Sequence, residues 1–383
     1  MTTSARVPSN RHRGLQRWIA ANVGTAIPQS MAPITFGLVS LSQGDVNGGA
    51  LMMTAMTVAQ VLGAVPLAAA GRRWPVTVYA RMLTAVRTLA FVGLTLAVSA
   101  DASLPVLVAV ASVAGVVNGA IFGVLRAVLS DVVTEGKLPR ALGFAATANE
   151  LVFVTGPILA SIIGGISVLG SVAVMTAASV LPVVAFPRVP HRRMPRRTRT
   201  AREAIPMSAV VWLLASAGAG ACVSSIEVGA VALALRAGLG AGAALLFTVP
   251  LCVASTLGGM WVTVRNRRLP QRTMVALLLL SALGMLAVAW VAWIVSAIVG
   301  AVLVGLALAP LDMSFSLSID DTLPSSRRAE GFALLRTSRG AGLIIVSSVI
   351  AFGSPESSLV VSAALASVSA TVIAATQTMR ART

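Results

Sequence analysis

Charge is scarce in this chain of 383 residues: 11% are Asp, Glu, Lys or Arg, where soluble proteins carry about a quarter. Acids are scarcer still, 12 against 29 Lys and Arg, and aromatics make up 4%, with one tyrosine, Tyr79. There are two cysteines, Cys222 and Cys252, and two histidines, His12 and His191. Each shortage weighs against a class of function. Two cysteines inside apolar segments suit neither a disulfide framework nor a metal site and read as small buried hydrophobes. Both histidines sit in basic stretches, so no nucleophile and base pair and no Cys/His metal spacing can be drawn. No glycine-rich phosphate loop is present. These gaps speak against an enzyme, an ATP-driven pump and a bound cofactor or metal, and the few aromatics disfavour a sugar site.

What the chain has instead is apolar residue: 57% of the sequence, with a mean hydropathy of +0.90. This is the composition of an all-α integral membrane protein in contact with lipid. A net charge of +17 would suit a nucleic-acid binder, but such proteins interleave basic with aromatic or polar residues on a folded face. Here the arginines cluster between apolar runs, and no nucleic acid is expected as partner.

The densest cluster, 188–206, carries seven arginines and three prolines and cannot enter lipid. It divides the chain into 1–187, a basic linker at 188–206, and 207–383. Apolar runs of the roughly 20 residues that a bilayer core requires fall at 18–41, 46–70, 75–99, 104–130, 141–166 and 168–187 in the first part. In the second they fall at 207–235, 240–264, 273–293, 296–319, 329–352 and 358–378, with the turn between the ninth and tenth set around Trp290 to Ser296. The tails and the even-numbered connections hold 23 of the 29 Lys and Arg, and the odd-numbered connections hold Arg236 alone. Basic loops stay cytoplasmic, so both termini are placed in the cytoplasm and the number of spans is even. The basic start, Arg6 to Arg17, reads as a cytoplasmic tail before a retained first span.

The two parts echo each other. Arg72-Arg73-Trp74-Pro75 recurs as Arg267-Arg268-Leu269-Pro270, and Arg140-Ala141-Leu142-Gly143-Phe144-Ala145 as Arg328-Ala329-Glu330-Gly331-Phe332-Ala333, at matching cytoplasmic turns. Two parallel six-helix repeats follow.

At these turns, and over residues 18 to 378, the chain resembles the major facilitator superfamily. The turn between spans 2 and 3 in that family reads Gly-x-x-x-Asp-Arg-x-Gly-Arg-Arg; Gly71, Arg72 and Arg73 match its end, while Ala64 and Ala68 replace the first Gly and the Asp. In the second half Gly259, Arg267 and Arg268 match and Thr263 replaces the Asp. The acids left to latch these arginines in a cytoplasmic gate are Asp131 and, at the end of span 10, Asp320 or Asp321. Span 5 is similar to that of drug-proton antiporters at Gly143, Gly156 and Pro157, and departs from it at Val152, Ala160 and Ser161. The resemblance implies twelve transmembrane helices in two pseudo-symmetric bundles and a monomer among the lipids of the inner (plasma) membrane. It also implies a small-molecule substrate moved by alternating access. Spans 1, 4, 7 and 10 line the cavity in such proteins, which makes Asn22, Thr25, Gln29, Asn118 and Ser216 the expected substrate contacts.

Charges inside spans cost about 2.5–3.5 kcal/mol each at mid-helix and need partners or water. The acids are Glu150, Glu227 and Asp312; the bases include Arg87, Arg126, Arg336 and Arg339. Arg126 with Glu150, and Asp312 with Arg336 or Arg339, match in depth on neighbouring spans. Glu227 has no base nearer in sequence than Arg236, nine residues on. Of the three proton-coupling candidates, Glu227 is therefore the one suited to pick up and release a proton, with structural glue as its other reading. The functional expectation is proton-coupled export of a small drug or metabolite. An uncoupled facilitator or importer, and a non-transporting membrane partner or sensor, stay open beside it. The orientation is checked by a reporter that works only in the cytoplasm: fused after Pro195 it should be active, fused after Gly238 silent, and the opposite pattern would invert the topology.

Overall fold

The computed structural model describes residues 8–71, 74–132, 138–187, 206–265, 268–289, 294–323 and 328–380. They form α1 (Pro8–Ser42), α2 (Gly48–Ala70), α3 (Val76–Ser99), α4 (Leu104–Val132), α5 (Leu138–Ile166) and α6 (Val168–Ala185). These are followed by α7 (Met207–Arg236), α8 (Leu245–Arg265), α9 (Gln271–Ala289), α10 (Ile294–Thr322), α11 (Arg328–Phe352) and α12 (Pro355–Arg380), with a short 3-10 turn, Ala241–Ala244, before α8. Among the described residues nine helices are long and apolar enough to cross a membrane, and α2 and α5 carry shorter apolar stretches, Gly48–Ala64 and Leu151–Ile166. The twelve helices fall on the twelve expected spans. The exception is at the start of α1, which begins at Pro8, ten residues ahead of the apolar run, because a basic polar sequence with proline at its first position is compatible with helix outside lipid. The basic linker from 188 to 205 and residues 290–293 of the expected ninth-to-tenth turn lie outside the described residues.

Helix ends follow local chemistry. α3 and α7 start directly after Pro75 and Pro206, and α12 starts on Pro355. The turns after α1 and α7 are the same motif. Gly44 and Gly238 take φ of 82° and 72°, which only glycine adopts cheaply. The next amide in each case reaches back to close the helix, Asp45 N–H to Ser40 O and Leu239 N–H to Ala234 O, both at 3.0 Å. Asp45 Oδ1 then accepts from the amides of Asn47 and Gly48 and caps α2.

The compact units do not follow chain order alone. One takes the described residues of Met1–Ala32 and Ala55–Arg199; the other takes those of Pro33–Thr54 with Thr200–Thr383, so the end of α1 and the start of α2 pack with the second half. There Gly37 lies against Val231 of α7, and Gly49 against the backbone at Phe36 and Gly37.

Within each unit the same helix pair is drawn together by glycine. A Cβ on Gly63 or Gly115 would strike the carbonyl of Val116 or Met56 across α2 and α4, and one on Gly258 or Gly305 would strike that of Leu306 or Leu251 across α8 and α10. Small residues allow this approach in lipid, where no hydrophobic effect drives helices together. Tryptophans repeat as well. Trp18 on α1 donates its indole N–H to Leu125 O on α4 at 2.7 Å, and Trp212 on α7 packs against Phe315 on α10 with centroids 6.5 Å apart. Hydroxyls finish the packing. Thr88 donates to Ser179 O, one turn before Pro182, and Ser225 and Ser362 bond across α7 and α12. Cys222 and Cys252 are buried thiols that form no disulfide.

Gly115→Val and Gly305→Val should each destabilise the purified protein, by about 1–3 kcal/mol or more from overpacking, read as a fall in melting temperature in detergent. Gly123→Ala, where nothing lies within 4 Å, should leave it unchanged.

Candidate functional site

In the second unit the charged residues converge. α7 and α11 pack closely enough that a Cβ on Gly220 would meet Arg339 O and Cα, and one on Gly342 would meet Ala217 O and Ala221 N. Ser216 Oγ donates to Leu335 O at 3.3 Å, and Ser338 Oγ to Leu213 O. This packing fixes Arg339 against α7. Its Nη1 donates to Asp312 Oδ2 on α10, with the two side chains 40% and 35% exposed. Arg339 also acts electrostatically on Glu227 of α7, whose side chain is half-buried.

That electrostatic influence corrects the expectation that Glu227 has no cation at hand. The base nearest in sequence, Arg236, is instead ion-paired with Glu356 at the start of α12. Sequence spacing along α7 cannot reveal a partner delivered by α11. Arg336 is exposed on α11, one turn before Arg339. Arg236 and Glu356 line a cavity of about 330 Å³ at the outer end of this unit, together with Asn47, Gly353 and Pro355.

In the first unit the convergent groups are uncharged. Asn118, 2% exposed on α4, donates through Nδ2 to Gln29 Oε1 of α1 at 2.7 Å and to Gln60 Oε1 of α2 at 2.8 Å. Asn118 Oδ1 has no hydrogen-bond partner. Asn22 Nδ2 donates to Asn149 Oδ1 on α5 at 2.8 Å. Thr25 does not offer its hydroxyl to a ligand: it is fully buried and bonded to Ala21 O. Ser216, 4% exposed, is likewise occupied by the α11 backbone. Arg87 of α3 is 2% exposed, donates Nη2 to Thr25 O at 2.8 Å, and lies 5.4 Å from the Phe91 ring centroid, a cation–π contact. Its Nη1 has no partner.

At the end of α10 Arg268 pairs with Asp321. Both partners are more than half exposed, so the bond adds at most about 1 kcal/mol. Arg72, Arg73 and Arg267, and the side chains of Arg126, Asp131 and Glu150, lie outside the described residues. Sequence reasoning missed Asn149 as the partner of Asn22 and Gln60 as a partner of Asn118. A polar residue on span 2 opposite Asn118 of span 4 was the available signal.

Replacing Arg339 by Ala should cost stability or activity, and Asp312→Asn in the same chain should restore part of it. A double-mutant cycle on melting temperature should give a coupling of about 0.5–3 kcal/mol; strict additivity would mean that the pair contributes nothing.

Comparison with known proteins places this arrangement. The family model described as Major Facilitator Superfamily matches residues 18–347. No curated protein matches the sequence. Among solved structures, the nucleoside transporter NupG aligns with a TM-score of 0.67 at 14% identity over 95% of this chain and 98% of that one. The D-xylose-proton symporter aligns at 0.72 and 13%, over 94% and 96%, and the POT family transporter PepTSo at 0.73 and 11%, over 94% and 97%. At such identities the likeness is one of fold.

Proposed function

The chain belongs to the major facilitator superfamily, and from that premise we propose that it is a proton-coupled transporter that exports a small organic molecule by alternating access, with Glu227 as the proton carrier. One observation carries the reading: Arg339 of α11 bonds Asp312 of α10, and the same cation lies within electrostatic range of Glu227 of α7, so one cation acts on two intramembrane acids. When Glu227 is ionised, Arg339 has two anions to balance. When Glu227 takes a proton, the balance of charge around Arg339 shifts toward Asp312. Charge inside a membrane needs a partner, so binding or release of a proton redistributes the pairing that links α7, α10 and α11 and favours one packing of these helices over another. Among the residues whose side chains are described, the other charges on helices packed against α7 are Arg272 on α9, Asp320 and Asp321 on α10, Arg336 on α11 and Glu356 on α12. Glu356 is engaged by Arg236 and Asp321 by Arg268.

Support for export comes from span 5, whose Gly156 and Pro157 match the antiporter pattern. Gly156 is so close to α1 that a Cβ would strike Ser30 Oγ, a contact that larger residues would abolish. The structural neighbours include a nucleoside transporter and a D-xylose-proton symporter, which supports a small organic substrate and leaves its class to experiment.

Flux is measured in proteoliposomes with and without an imposed pH gradient, after a metabolite and drug library has found a transported compound. Wild type should accumulate it when a proton gradient is imposed in the opposite direction. Glu227→Gln, which imitates the protonated acid, should keep substrate binding and exchange and lose pH-driven accumulation. Normal pH-driven transport in that variant would sink the assignment, and flux indifferent to pH in the wild type would make the protein a facilitator.

A further inference from the structure

The repeat that builds both units gives a way to ask what the amide cluster of Gln29, Gln60 and Asn118 is for. The α2–α4 contact made by Gly63 and Gly115 returns as the α8–α10 contact of Gly258 and Gly305. Three residues before Gly63 stands Gln60, and three before Gly258 stands Ser255. Three residues after Gly115 stands Asn118, and three after Gly305 stands Leu308. Eleven residues after Trp18 stands Gln29, and eleven after Trp212 stands Val223. The second copy thus brings its helices together with Val223, Ser255 and Leu308 at these places, and Val223 and Leu308 join its apolar core. The helix pair closes without amides. Three amides in a membrane interior carry a desolvation cost that packing does not require.

Their hydrogen bonds show what they leave on offer. Asn118 spends both N–H groups on the two glutamine oxygens. Each glutamine therefore directs its own –NH2 elsewhere, and neither Nε2 is bonded to a protein acceptor among the described residues, while both side chains are half-buried rather than sealed. Asn118 Oδ1 is buried without a donor. Turning all three amides over would orphan two buried N–H groups of Asn118 in place of one oxygen, the worse balance. The cluster thus presents unused donors on two half-exposed arms and one unused acceptor on the residue that joins them.

We propose that this cluster receives an amide or lactam edge of the transported molecule, with the ligand carbonyl accepting from Gln29 or Gln60 Nε2 and the adjacent ligand N–H donating to Asn118 Oδ1. The match is one of complementary donors and acceptors, and it disfavours both a carboxylate, which has no hydrogen for Asn118 Oδ1, and a bare ketone. The inference rests on the transport reading above and names the substrate chemistry of that protein's first unit.

The test uses three isosteric probes, nicotinamide, nicotinate and 3-acetylpyridine, with the full-length protein in detergent and saturation-transfer NMR as readout. Nicotinamide should bind at least about fivefold more tightly than the other two, and Gln60→Ser, Gln29→Val and Asn118→Leu, which install the residues of the second repeat, should each remove that preference. Should Asn118→Leu not fold, the two glutamine variants decide alone. Equal binding of all three probes, preference for nicotinate, no binding by any of them, or preference for nicotinamide that survives both glutamine variants would each overturn the proposal. Binding is read without flux, so the two ideas fail separately. A preference for nicotinamide in a protein that moves nothing would end the transport reading, whereas pH-driven flux of compounds lacking an amide, with no nicotinamide binding, would end this one.

Discussion

A polar group inside hydrocarbon has no water to turn to, and the placement of almost every polar residue described above follows from that fact. Threonine and serine hydroxyls are spent on carbonyls of their own helix or the next, as with Thr25 on Ala21 and Ser216 on Leu335. Arg339 exists at depth because Asp312 meets it. Arg87 has a carbonyl and an aromatic face in place of an acid. Such a system leaves few groups unaccounted for, and those few stand out against the satisfied majority. Asn118 Oδ1 and Arg87 Nη1 are among them.

The scaffold is symmetric and the chemistry is not. Glycine contacts between α2 and α4 and between α8 and α10, left-handed Gly44 and Gly238, and buried Trp18 and Trp212 all recur in register. Against this common frame the first unit holds neutral amides at Gln29, Gln60 and Asn118, and the second holds the ionisable set Glu227, Asp312 and Arg339. A duplicated fold supplies two equivalent frames, and divergence at a few inward positions lets one specialise in hydrogen-bond recognition and the other in charge.

The spans were legible because bilayer thickness forces apolar runs of one length. The depth match of Asp312 with Arg339 could be read in the same way, since α10 and α11 are consecutive. Contacts between distant helices could not. Arg339 comes within electrostatic range of Glu227 because Gly220 and Gly342 let α11 settle on α7, and hydropathy records neither the partner of a glycine nor the direction of a side chain. Ser216 and Thr25 looked like cavity residues for a related reason: a hydroxyl on the right face of a helix is indistinguishable in sequence from one already bonded to backbone.

The hairpin from Pro33 to Thr54 belongs to the second unit although it is made with the first. On the ribosome it leaves the exit tunnel well before α7 and α11 exist, so Gly37 is inserted into lipid without Val231, the residue it later rests on. The end of α1 and the start of α2 have to wait for nearly the whole chain before they find their final neighbours. A gene split at the basic linker would then yield a first fragment whose α1–α2 corner stays unfinished until its complement is synthesised alongside it.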